Sequence, residues 1–316
     1  MILQQIHQQI KTNQRFLVVA HENPDGDAIG STLGLALALR DMGKDVVAFN
    51  VDGVPDIMGF IPDHDFLASR LPENVRFDVA FVLDSGELKR TGIDVAAISD
   101  CIINIDHHPH SNFGDICYLD TAASATAALI YRLLQECGYQ LTQPVAKNLY
   151  LGILSDTGSF RYSSANQEAF EIAGCLIGHG VDPWEMASSI YESYPPQRMR
   201  LLALVLPTLE LSACGRYASV SMLRDDLTRS GATEEHADGF VNYPRAVRGV
   251  EVALFFSQVE SELFKVSFRS RGKIDVGSLA RHLGGGGHHN AAGAKISGAL
   301  EAAKANVYKH LDRLLA

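Results

Sequence analysis

The sequence predicts an α/β fold with two parts: an N-terminal doubly wound, mainly parallel sheet and a smaller C-terminal α/β domain. Three short apolar runs support the sheet, at residues 16–20, 78–83 and 101–105, because each is too short for a helix and ends abruptly in polar residues. Stretches of helical periodicity lie between and after these runs, as in parallel sheets. A chain of 316 residues also suits two domains better than one.

The first part of the chain alternates strands with helices. Apolar spacing predicts strands at 16–20, 45–49, 78–83 and 101–105, and helices near 1–15, 27–42, 123–137, 144–155, 166–179 and 183–191. Gly43 is suited to end the second of these helices. Residues 50–75 contain several Pro, Gly and Asp, which predict loops with one short helix. A turn is expected at 156–159.

The spacing of apolar residues along the sequence changes near Gly215. Beyond it the pattern predicts strands at 217–223, 250–258 and 263–269, with helices near 233–240, 276–283 and 299–314. A helix near 197–211 precedes the change and follows the break at Tyr194-Pro195-Pro196. We therefore predict an N-terminal domain at 1–191, a linker with a connecting helix at 192–215, and a C-terminal domain at 216–316.

Charge is unevenly distributed along the chain. The net charge is −10, which argues against binding to a long duplex, because such binding needs many neutralised phosphates. Residues 1–215 carry 13 Lys/Arg against 26 Asp/Glu, whereas residues 216–316 carry 14 against 11. We expect the acidic part to bind cations and the basic part to bind a small anionic substrate.

Neither membrane insertion nor a disulfide framework is expected. No run reaches the roughly 18 apolar residues of a membrane helix, and the N-terminus lacks the pattern of a secretory signal. The five cysteines are scattered and show no CxxC spacing. We predict a cytoplasmic protein that does not bind membranes, with a homodimer left open.

Polar side chains follow three of the predicted strands at the points where the strands end, at His21, Asp84 and Asp106. Ligands of open parallel sheets bind outside the carboxyl ends of the strands, so these groups should share a crevice. The candidate metal ligands are His21, Asp25, Asp27, Asp84, His107 and Asp156. Four carboxylates and two imidazoles can hold two divalent cations about 3.5–4 Å apart. Oxygen ligands suit Mg²⁺ or Mn²⁺, and the imidazoles favour Mn²⁺.

Some of these candidate residues, taken one at a time, could have a structural role instead. Asp25 or Asp156 alone could equally be a capping or turn residue, although turn chemistry does not require the whole set. We assign catalytic roles to Asp84 and to His108, which should lie near the metals, point elsewhere and donate to a phosphoryl oxygen. The alternative for His108 is a structural histidine. Asp106 is expected to orient a neighbouring imidazole rather than to bind metal.

A glycine-rich segment near the C-terminus is the second candidate binding element. Gly285, Gly286 and Gly287, followed by His288 and His289, could line a concavity for an anion with main-chain N–H groups. We place this segment between two helices, and a flexible loop is the other interpretation. Arg269, at the end of a predicted strand, can bind a phosphate bidentately.

These motifs resemble the DHH phosphoesterase superfamily. The resemblance rests on His21-x3-Asp25-x-Asp27, on Asp84, on Asp106-His107-His108 and on Ser155-Asp156-Thr157-Gly158. The segment Gly285-Gly286-Gly287-His288-x-x-Ala291-Ala292-Gly293 resembles its DHHA1 domain. The continuation at 157–161 is most similar to the nanoRNases, which are bifunctional oligoribonucleases and phosphatases of 3′-phosphoadenosine 5′-phosphate (PAP).

The resemblance implies two Mn²⁺ ions, one held by residues matching His21, Asp25 and Asp84 and the other by residues matching Asp27, Asp84, His107 and Asp156. Mg²⁺ is the alternative ion. It further implies hydrolysis of single-stranded RNA of about 2–5 nucleotides and of nucleoside 3′,5′-bisphosphates, without a covalent enzyme intermediate. We expect the active site in a cleft between the domains. Of the two histidines, His288 and His289, either could contact the substrate.

Four other functions share parts of the pattern. A linear or cyclic dinucleotide phosphodiesterase has the same core, although its membrane-anchored type needs N-terminal spans. A processive single-strand exonuclease needs further domains and a long basic channel. A family II pyrophosphatase should lack the glycine-histidine segment. A binding module with a decayed metal site is the alternative from another class, and intact ligands count against it.

Overall fold

The computed structural model of the protein describes residues 2–109, 111–287 and 289–315. The chain forms two compact units, Met1–Ser193 and Tyr194–Ala316. None of the helices within the described ranges is both long enough and apolar enough to cross a bilayer.

The first unit is built on a six-stranded sheet in which every neighbouring pair is parallel. Its strands are β1 (Arg15–Val19), β2 (Asp45–Phe49), β3 (Leu67–Ala68), β4 (Phe77–Leu83), β5 (Ser99–Asp106) and β6 (Ile116–Leu119). They lie in the order β3-β2-β1-β4-β5-β6. Chain progression reverses between β1 and β4, which is the doubly wound arrangement. The α/β prediction is confirmed.

Helices of the first unit cover both faces of this sheet. They are α1 (Ile2–Thr12), α2 (Gly26–Asp41), α3 (Val95–Ile98), α4 (Thr126–Glu136), α5 (Gln143–Asp156), α6 (Gln167–Gly178) and α7 (Pro183–Tyr191). The main core packs α1, α2, α4 and α5 against one face of the sheet. A smaller core, with Leu17, Val82 and Val95, lies on the other face.

Glycines allow α2 and α5 to approach each other closely. A Cβ atom on Gly30 would lie 2.3 Å from the carbonyl oxygen of Asn148, which no side chain tolerates. A Cβ atom on Gly34 would lie 2.7 Å from the side chain of Leu149. This close packing fixes the start of α2 against the end of α5, and both ends carry candidate ligands.

Two parts of the first unit differ from the sequence-based expectation. Residues 50–75 contain two 3₁₀ turns, Asp56–Met58 and His64–Phe66, and the short strand β3, where one short helix was expected. Strand β6 was not expected at all. It has only four residues, and its pairing with β5 defines it. Such short edge strands depend on the sheet that they join.

The second unit contains a mixed six-stranded sheet. Its strands are β7 (Glu210–Leu211), β8 (Tyr217–Met222), β9 (Val252–Glu260), β10 (Leu263–Ser270), β11 (Gly286–Gly287) and β12 (Ala291–Ser297). They lie in the order β11-β12-β10-β9-β8-β7, with only β8 and β9 parallel. Its helices are α8 (Pro196–Val205), α9 (Arg224–Ser230), α10 (Asn242–Arg245), α11 (Val276–His282) and α12 (Leu300–Leu315).

Helix α8, in the segment expected to connect the domains, packs into the core of the second unit. Its residues Leu201, Leu202 and Val205 contact a cluster that includes Phe240 and Phe255. The helix ends before Leu206–Thr208, a 3₁₀ turn that contains Pro207, rather than near 211 as expected. The helix expected near 233–240 is instead the 3₁₀ turn Glu234–Ala237, and α9 was not expected.

The glycine-rich segment lies between helices α11 and α12, as expected from the sequence, but the unexpected strand β12 separates it from α12. It follows α11 but runs into the hairpin of β11 and β12, and β12 pairs with β10 over its whole length. Small residues dominate β12, and they have weak intrinsic preference for strands. Pairing with β10 decides this conformation, which is why the local pattern did not predict it.

Candidate metal centre

The candidate ligands of the first unit gather where the strand order reverses. His21 follows β1 and Asp84 follows β4, the two central strands on either side of the reversal. Asp106 is the last residue of β5, the next strand along. The carboxyl ends of parallel strands meet at one edge, and the point of reversal leaves a crevice there. The topology therefore brings these side chains together.

Asp84 occupies the centre of this cluster. Its backbone has a φ of 53°, in the left-handed region that residues other than glycine rarely adopt, and such strain is often found at functional sites. Its oxygen Oδ2 lies 3.7 Å from Nε2 of His21, whereas Oδ1 lies 3.5 Å from Nε2 of His107. The two oxygens of one buried carboxylate thus face two different histidines.

His21, Asp25 and Asp84 form one group of potential ligands, whose donor atoms lie within 4.8 Å of one another. Nδ1 of His21 lies 2.8 Å from the carbonyl oxygen of Glu22, so Nδ1 carries the proton and Nε2 is the ligand atom. Asp25 also caps α2, because its Oδ1 accepts from the N–H groups of Asp27 and Ala28. Asp25 therefore combines the capping geometry with a place in the candidate site.

Asp27, His107 and Asp156 form a second group within the same limit. Nδ1 of His107 donates to the carbonyl oxygen of Ala123 at 3.3 Å. Nε2 of His107 then lies 3.0 Å from Asp156, 3.5 Å from Asp84 and 4.0 Å from Asp27. Although buried, this nitrogen has no well-aligned hydrogen-bond partner within the described part of the chain. A lone pair facing three carboxylates needs a proton or a cation between them.

The pKa values of this group reflect the same crowding. Burial, and then the charges of Asp84 and Asp156, raise the pKa of Asp27 well above its ordinary value. Burial by itself would lower the pKa of His107, but contact with Asp156 and the neighbouring carboxylates outweigh burial and raise it to about 10. In the absence of metal the cluster therefore retains protons that divalent cations would displace.

His108 is fixed by Asp106. Its Nδ1 and its backbone N–H both lie 2.9 Å from Oδ1 of Asp106, and Oδ2 of Asp106 accepts from the N–H of Gly86 at 2.7 Å. The ring does not point away from the cluster, because Nδ1 also lies 3.3 Å from Oδ1 of Asp84. Burial would lower the pKa of His108, but hydrogen bonds to Asp106 and Asp84 raise it to about 11. An imidazolium is thus available at neutral pH.

Sequence reasoning missed a group of supporting residues. Thr126 Oγ1 donates to Oδ1 of Asp84 at 3.1 Å, and Asn50 Nδ2 donates to the carbonyl oxygen of His21 at 2.8 Å. Gly152 leaves room for Asp27, since a Cβ atom there would lie 2.6 Å from its Oδ1. The run of small residues at 122–127, which includes the start of α4, was the signal that could have indicated the first of these contacts.

The candidate residues of the second unit are bound to nearby backbone. Nη1 of Arg269 donates to the carbonyl oxygen of Phe268 at 3.0 Å, and Nε2 of His289 lies 2.9 Å from that of Gly272. A Cβ atom on Gly285 would lie 2.1 Å from the carbonyl oxygen of Gly293, so packing against β12 accounts for that glycine. Gly287, at a φ of +136°, is required for the same reason, whereas Gly286 faces open space. His288 lies outside the described residues.

The residues of the first unit fit divalent cations. Each group combines at least one carboxylate with an imidazole whose Nδ1 is held by a carbonyl oxygen, which is the usual arrangement of a metal-binding histidine. Asp84 takes part in both groups, because its Oδ2 faces Nε2 of His21 and its Oδ1 faces Nε2 of His107. The crowded carboxylates need compensating positive charge, and hard oxygen donors suit Mg²⁺ or Mn²⁺.

Comparisons with known proteins agree with this geometry. The model of the DHH family, N-terminal domain, matches residues 15–153, and the model of the DHHA1 domain matches residues 216–316. A bifunctional oligoribonuclease and PAP phosphatase NrnA of Thermus thermophilus is 36% identical over 283 residues, which are 89% of this chain and 84% of the relative. A protein of the same name from Bacillus subtilis is 30% identical over 280 residues, 87% of each chain.

A solved structure shows the same fold throughout. It is an exopolyphosphatase-related protein of Bacteroides fragilis, with a TM-score of 0.91 and 30% identity, and the match covers 98% of this chain and 94% of that one. The resemblance deduced from the motifs is confirmed. The chain belongs to the DHH family of metal-dependent phosphoesterases and carries its DHHA1 domain.

Proposed function

We propose that the protein is a two-metal phosphohydrolase that degrades RNA of about 2–5 nucleotides to mononucleotides and removes the 3′-phosphate of PAP to give AMP. The observation that carries the two-metal part is Asp84, whose two oxygens face the histidines of two separate ligand groups. The substrates are proposed from the relatives, whose names specify an oligoribonuclease and PAP phosphatase.

We assign one cation to His21, Asp25 and Asp84 and the other to Asp27, Asp84, His107 and Asp156, with Mn²⁺ preferred over Mg²⁺. The imidazole ligands support that preference, since they suit transition metals better than Mg²⁺. Bound divalent cations lower the pKa of water and offset charge on a phosphoryl group.

His108 supplies the further positive charge of the site. Asp106 holds its Nδ1, so Nε2–H is the donor that serves a phosphoryl oxygen of the substrate. Burial would lower the pKa of His108, but the hydrogen bond to Asp106 raises it and so favours the protonated ring, in which Nε2 carries the proton to be donated. Asp106 acts through this histidine, fixing its tautomer and its position.

The second unit binds the non-reacting part of the substrate in this proposal. Arg269 binds a phosphate, and N–H groups of Gly286 and Gly287 add donors for an anion. The N–H of Gly285 donates to the carbonyl oxygen of Ala280 at 2.8 Å, so Gly285 contributes through the shape of the segment rather than as a donor. His289 is hydrogen-bonded to the backbone at Gly272, which favours His288 as the histidine that contacts the substrate. Residues 216–316 have a balance of +3, which suits an anionic ligand.

Short substrates follow from the charge of the first part of the chain. A nuclease for long strands gains affinity from each phosphate that basic residues neutralise. Residues 1–215 have a balance of −13, so a long strand that leaves the metal centre would meet carboxylates. We infer a preference for di- to pentanucleotides and a shallow dependence of binding on salt.

Two properties of the whole protein belong to the same proposal. We propose a cytoplasmic location, because all five cysteines are free thiols, as is usual in a reducing compartment. A homodimer is compatible with this function and is tested by the mass of the protein in solution.

The deciding experiment measures turnover with Mn²⁺ on RNAs of increasing length and on PAP at one salt concentration. We expect kcat/KM for a trinucleotide to exceed that for a single strand of about 24 nucleotides by more than tenfold. Equal kcat/KM values on the two RNAs would contradict the preference for short substrates. Turnover confined to linear or cyclic dinucleotides would instead identify the dinucleotide phosphodiesterase activity.

A further inference from the structure

The turn that leads into α4 contacts three residues of the metal centre. The carbonyl oxygen of Ala123 accepts from His107, and the N–H groups of Thr126 and Ala127 donate to Asp27 at 2.5 and 2.9 Å. The residue that precedes α4, Ala125, offers no side chain to cap the helix. The carboxylate of Asp27, from a different helix, takes that place. The start of α4 and the position of Asp27 therefore depend on each other.

Thr126 also contacts Asp84 through its side chain. Its hydroxyl donates to Oδ1 of Asp84 at 3.1 Å, and both residues are fully buried. Oδ1 is the oxygen that faces His107, whereas Oδ2 faces His21. A neutral hydroxyl fixes the rotation of this carboxylate and leaves its negative charge available, which a Lys or Arg in the same place would neutralise.

We propose that Thr126 is a positioning residue for both metal sites, an inference that rests on the proposed two-metal function. Its hydroxyl holds the plane of the Asp84 carboxylate so that each oxygen serves one cation. Its backbone N–H holds Asp27, a ligand assigned to the second cation. Because threonine is branched at Cβ, its rotamer is also restricted, so the hydroxyl stays directed at Asp84.

Helix α5 packs against Ala127 and the carboxylate of Asp27 through Gly152. A Cβ atom on Gly152 would lie 2.5 Å from Cβ of Ala127 and 2.6 Å from Oδ1 of Asp27. The carboxylate is therefore confined between the N-terminus of α4 and the surface of α5. A side chain at 152 would force Asp27 away from the N–H groups that hold it.

The test compares Thr126→Val, which removes the hydroxyl and keeps the shape, with Thr126→Ser, which keeps the hydroxyl. Thr32→Val is the matched control, because Thr32 is equally buried and its hydroxyl has no partner in the described part of the chain. Mn²⁺ affinity of the metal-free, full-length variants is measured by titration calorimetry, and kcat and KM are measured with PAP.

We expect Thr126→Val to weaken Mn²⁺ binding roughly 10–100-fold, as for other residues that orient metal ligands, and to lower kcat with KM little changed. Thr126→Ser should recover most of both losses, and Thr32→Val should match the wild type in both. Thr126→Ala is a second variant that lacks the hydroxyl.

Wild-type Mn²⁺ affinity in Thr126→Val, or equal losses in the Val and Ser variants, would overturn the proposal. Failure of both hydroxyl-free variants to fold would assign Thr126 a structural role and overturn it as well. Mn²⁺ affinity is measured without substrate, so the test of Thr126 does not depend on whether the proposed substrates are hydrolysed. A wild-type protein that binds Mn²⁺ but hydrolyses neither RNA nor PAP would contradict only the latter.

Discussion

The polar side chains of the two units have different partners: other acids and histidines in the first unit, and backbone carbonyl oxygens in the second. In the first unit, acids and histidines that follow β1, β4 and β5 or lie at the ends of α2 and α5 face one another around the buried residues His21, Asp27 and Asp84. In the second unit, Arg269 and His289 hydrogen-bond to carbonyl oxygens of their own surroundings. In the metal-free protein, raised pKa values keep protons in the first arrangement, which cations would displace, whereas the second arrangement uses hydrogen bonds to nearby backbone. The difference indicates that the chemistry belongs to the first unit.

Charge along the chain supports the same division. The balance is −13 over residues 1–215 and +3 over residues 216–316. In the proposed function, the acidic region concentrates cations and the basic region attracts the anionic substrate. Substitutions in the first unit should therefore affect metal content and kcat, whereas substitutions in the second should affect KM.

The largest effect is expected for Asp84→Ala. It removes the carboxylate that faces both ligand groups, so we expect activity to be lost and Mn²⁺ content to fall. The fold should persist, because the change also relieves repulsion between Asp84 and the buried carboxylate of Asp27. Turnover, metal analysis and circular dichroism check this. Near-wild-type turnover with bound manganese would contradict the shared role of Asp84.

His108→Ala should separate catalysis from metal binding within the first unit. If His108 donates to the phosphoryl group, its loss should lower kcat roughly 10²–10³-fold, as for the loss of one donor to a developing oxyanion. Mn²⁺ content should stay close to that of the wild type. Metal analysis that finds one ion missing would make His108 a ligand instead.

Arg269→Ala tests the role assigned to the second unit. A hydrogen bond between charged groups contributes about 1.5–3 kcal/mol, so we expect KM for PAP and for short RNA to rise roughly tenfold or more. Mn²⁺ affinity should not change. Arg271→Ala is the matched control, since Arg271 donates to the backbone at Arg245 and has no assigned contact with substrate. A fall in kcat without a rise in KM would contradict the assignment.

The smallest effect on catalysis is expected from the pH dependence of the metal-free protein, which concerns its stability. The pKa values of His107 and His108 are raised from 6.5 to about 10 and about 11, so the stability that they contribute is complete below pH 6.5 and is lost as pH rises towards those values. Asp27, whose pKa is raised, acts in the same direction.

We therefore expect the free energy of unfolding in EDTA to fall between pH 6.5 and 9, by at most about 1.4 kcal/mol per pH unit for each proton involved. Saturating Mn²⁺ should reverse the trend, because protons no longer compete at higher pH. His107→Gln should make the slope in EDTA shallower. Urea denaturation measures each case, and a rise of stability with pH in EDTA would contradict the prediction.

Sequence reasoning predicted which polar residues lie close together wherever those residues directly follow strands. His21, Asp84 and Asp106 each terminate or follow an apolar run, and a parallel sheet brings such ends together whatever the details of packing. The candidate ligands at 25, 27, 107 and 156 then lie within a few residues of those ends or of a predicted turn, and the structure brings them into the groups described above. The order of the strands was not predicted, because it depends on long-range pairing.

The features that sequence reasoning missed depend on contacts between distant segments. Strand β12 exists because β10 pairs with it, and its small residues give no strand signal. Thr126 contacts Asp84, which lies 42 positions away, and Asp27, which lies 99 positions away. The bond from His289 to Gly272 also joins separate segments. Periodicity describes faces of single elements and carries no information about such pairs.

The most direct test counts the Mn²⁺ ions held by one chain while hydrolysis is followed. Metal-free wild-type protein is titrated with Mn²⁺, bound ions are measured by electron paramagnetic resonance, and turnover of a trinucleotide is recorded at each point. If Asp84 joins two cation sites, we predict two ions per chain at saturation and turnover that follows the doubly loaded fraction. Full turnover in protein that holds a single ion would contradict the shared carboxylate and the function built on it.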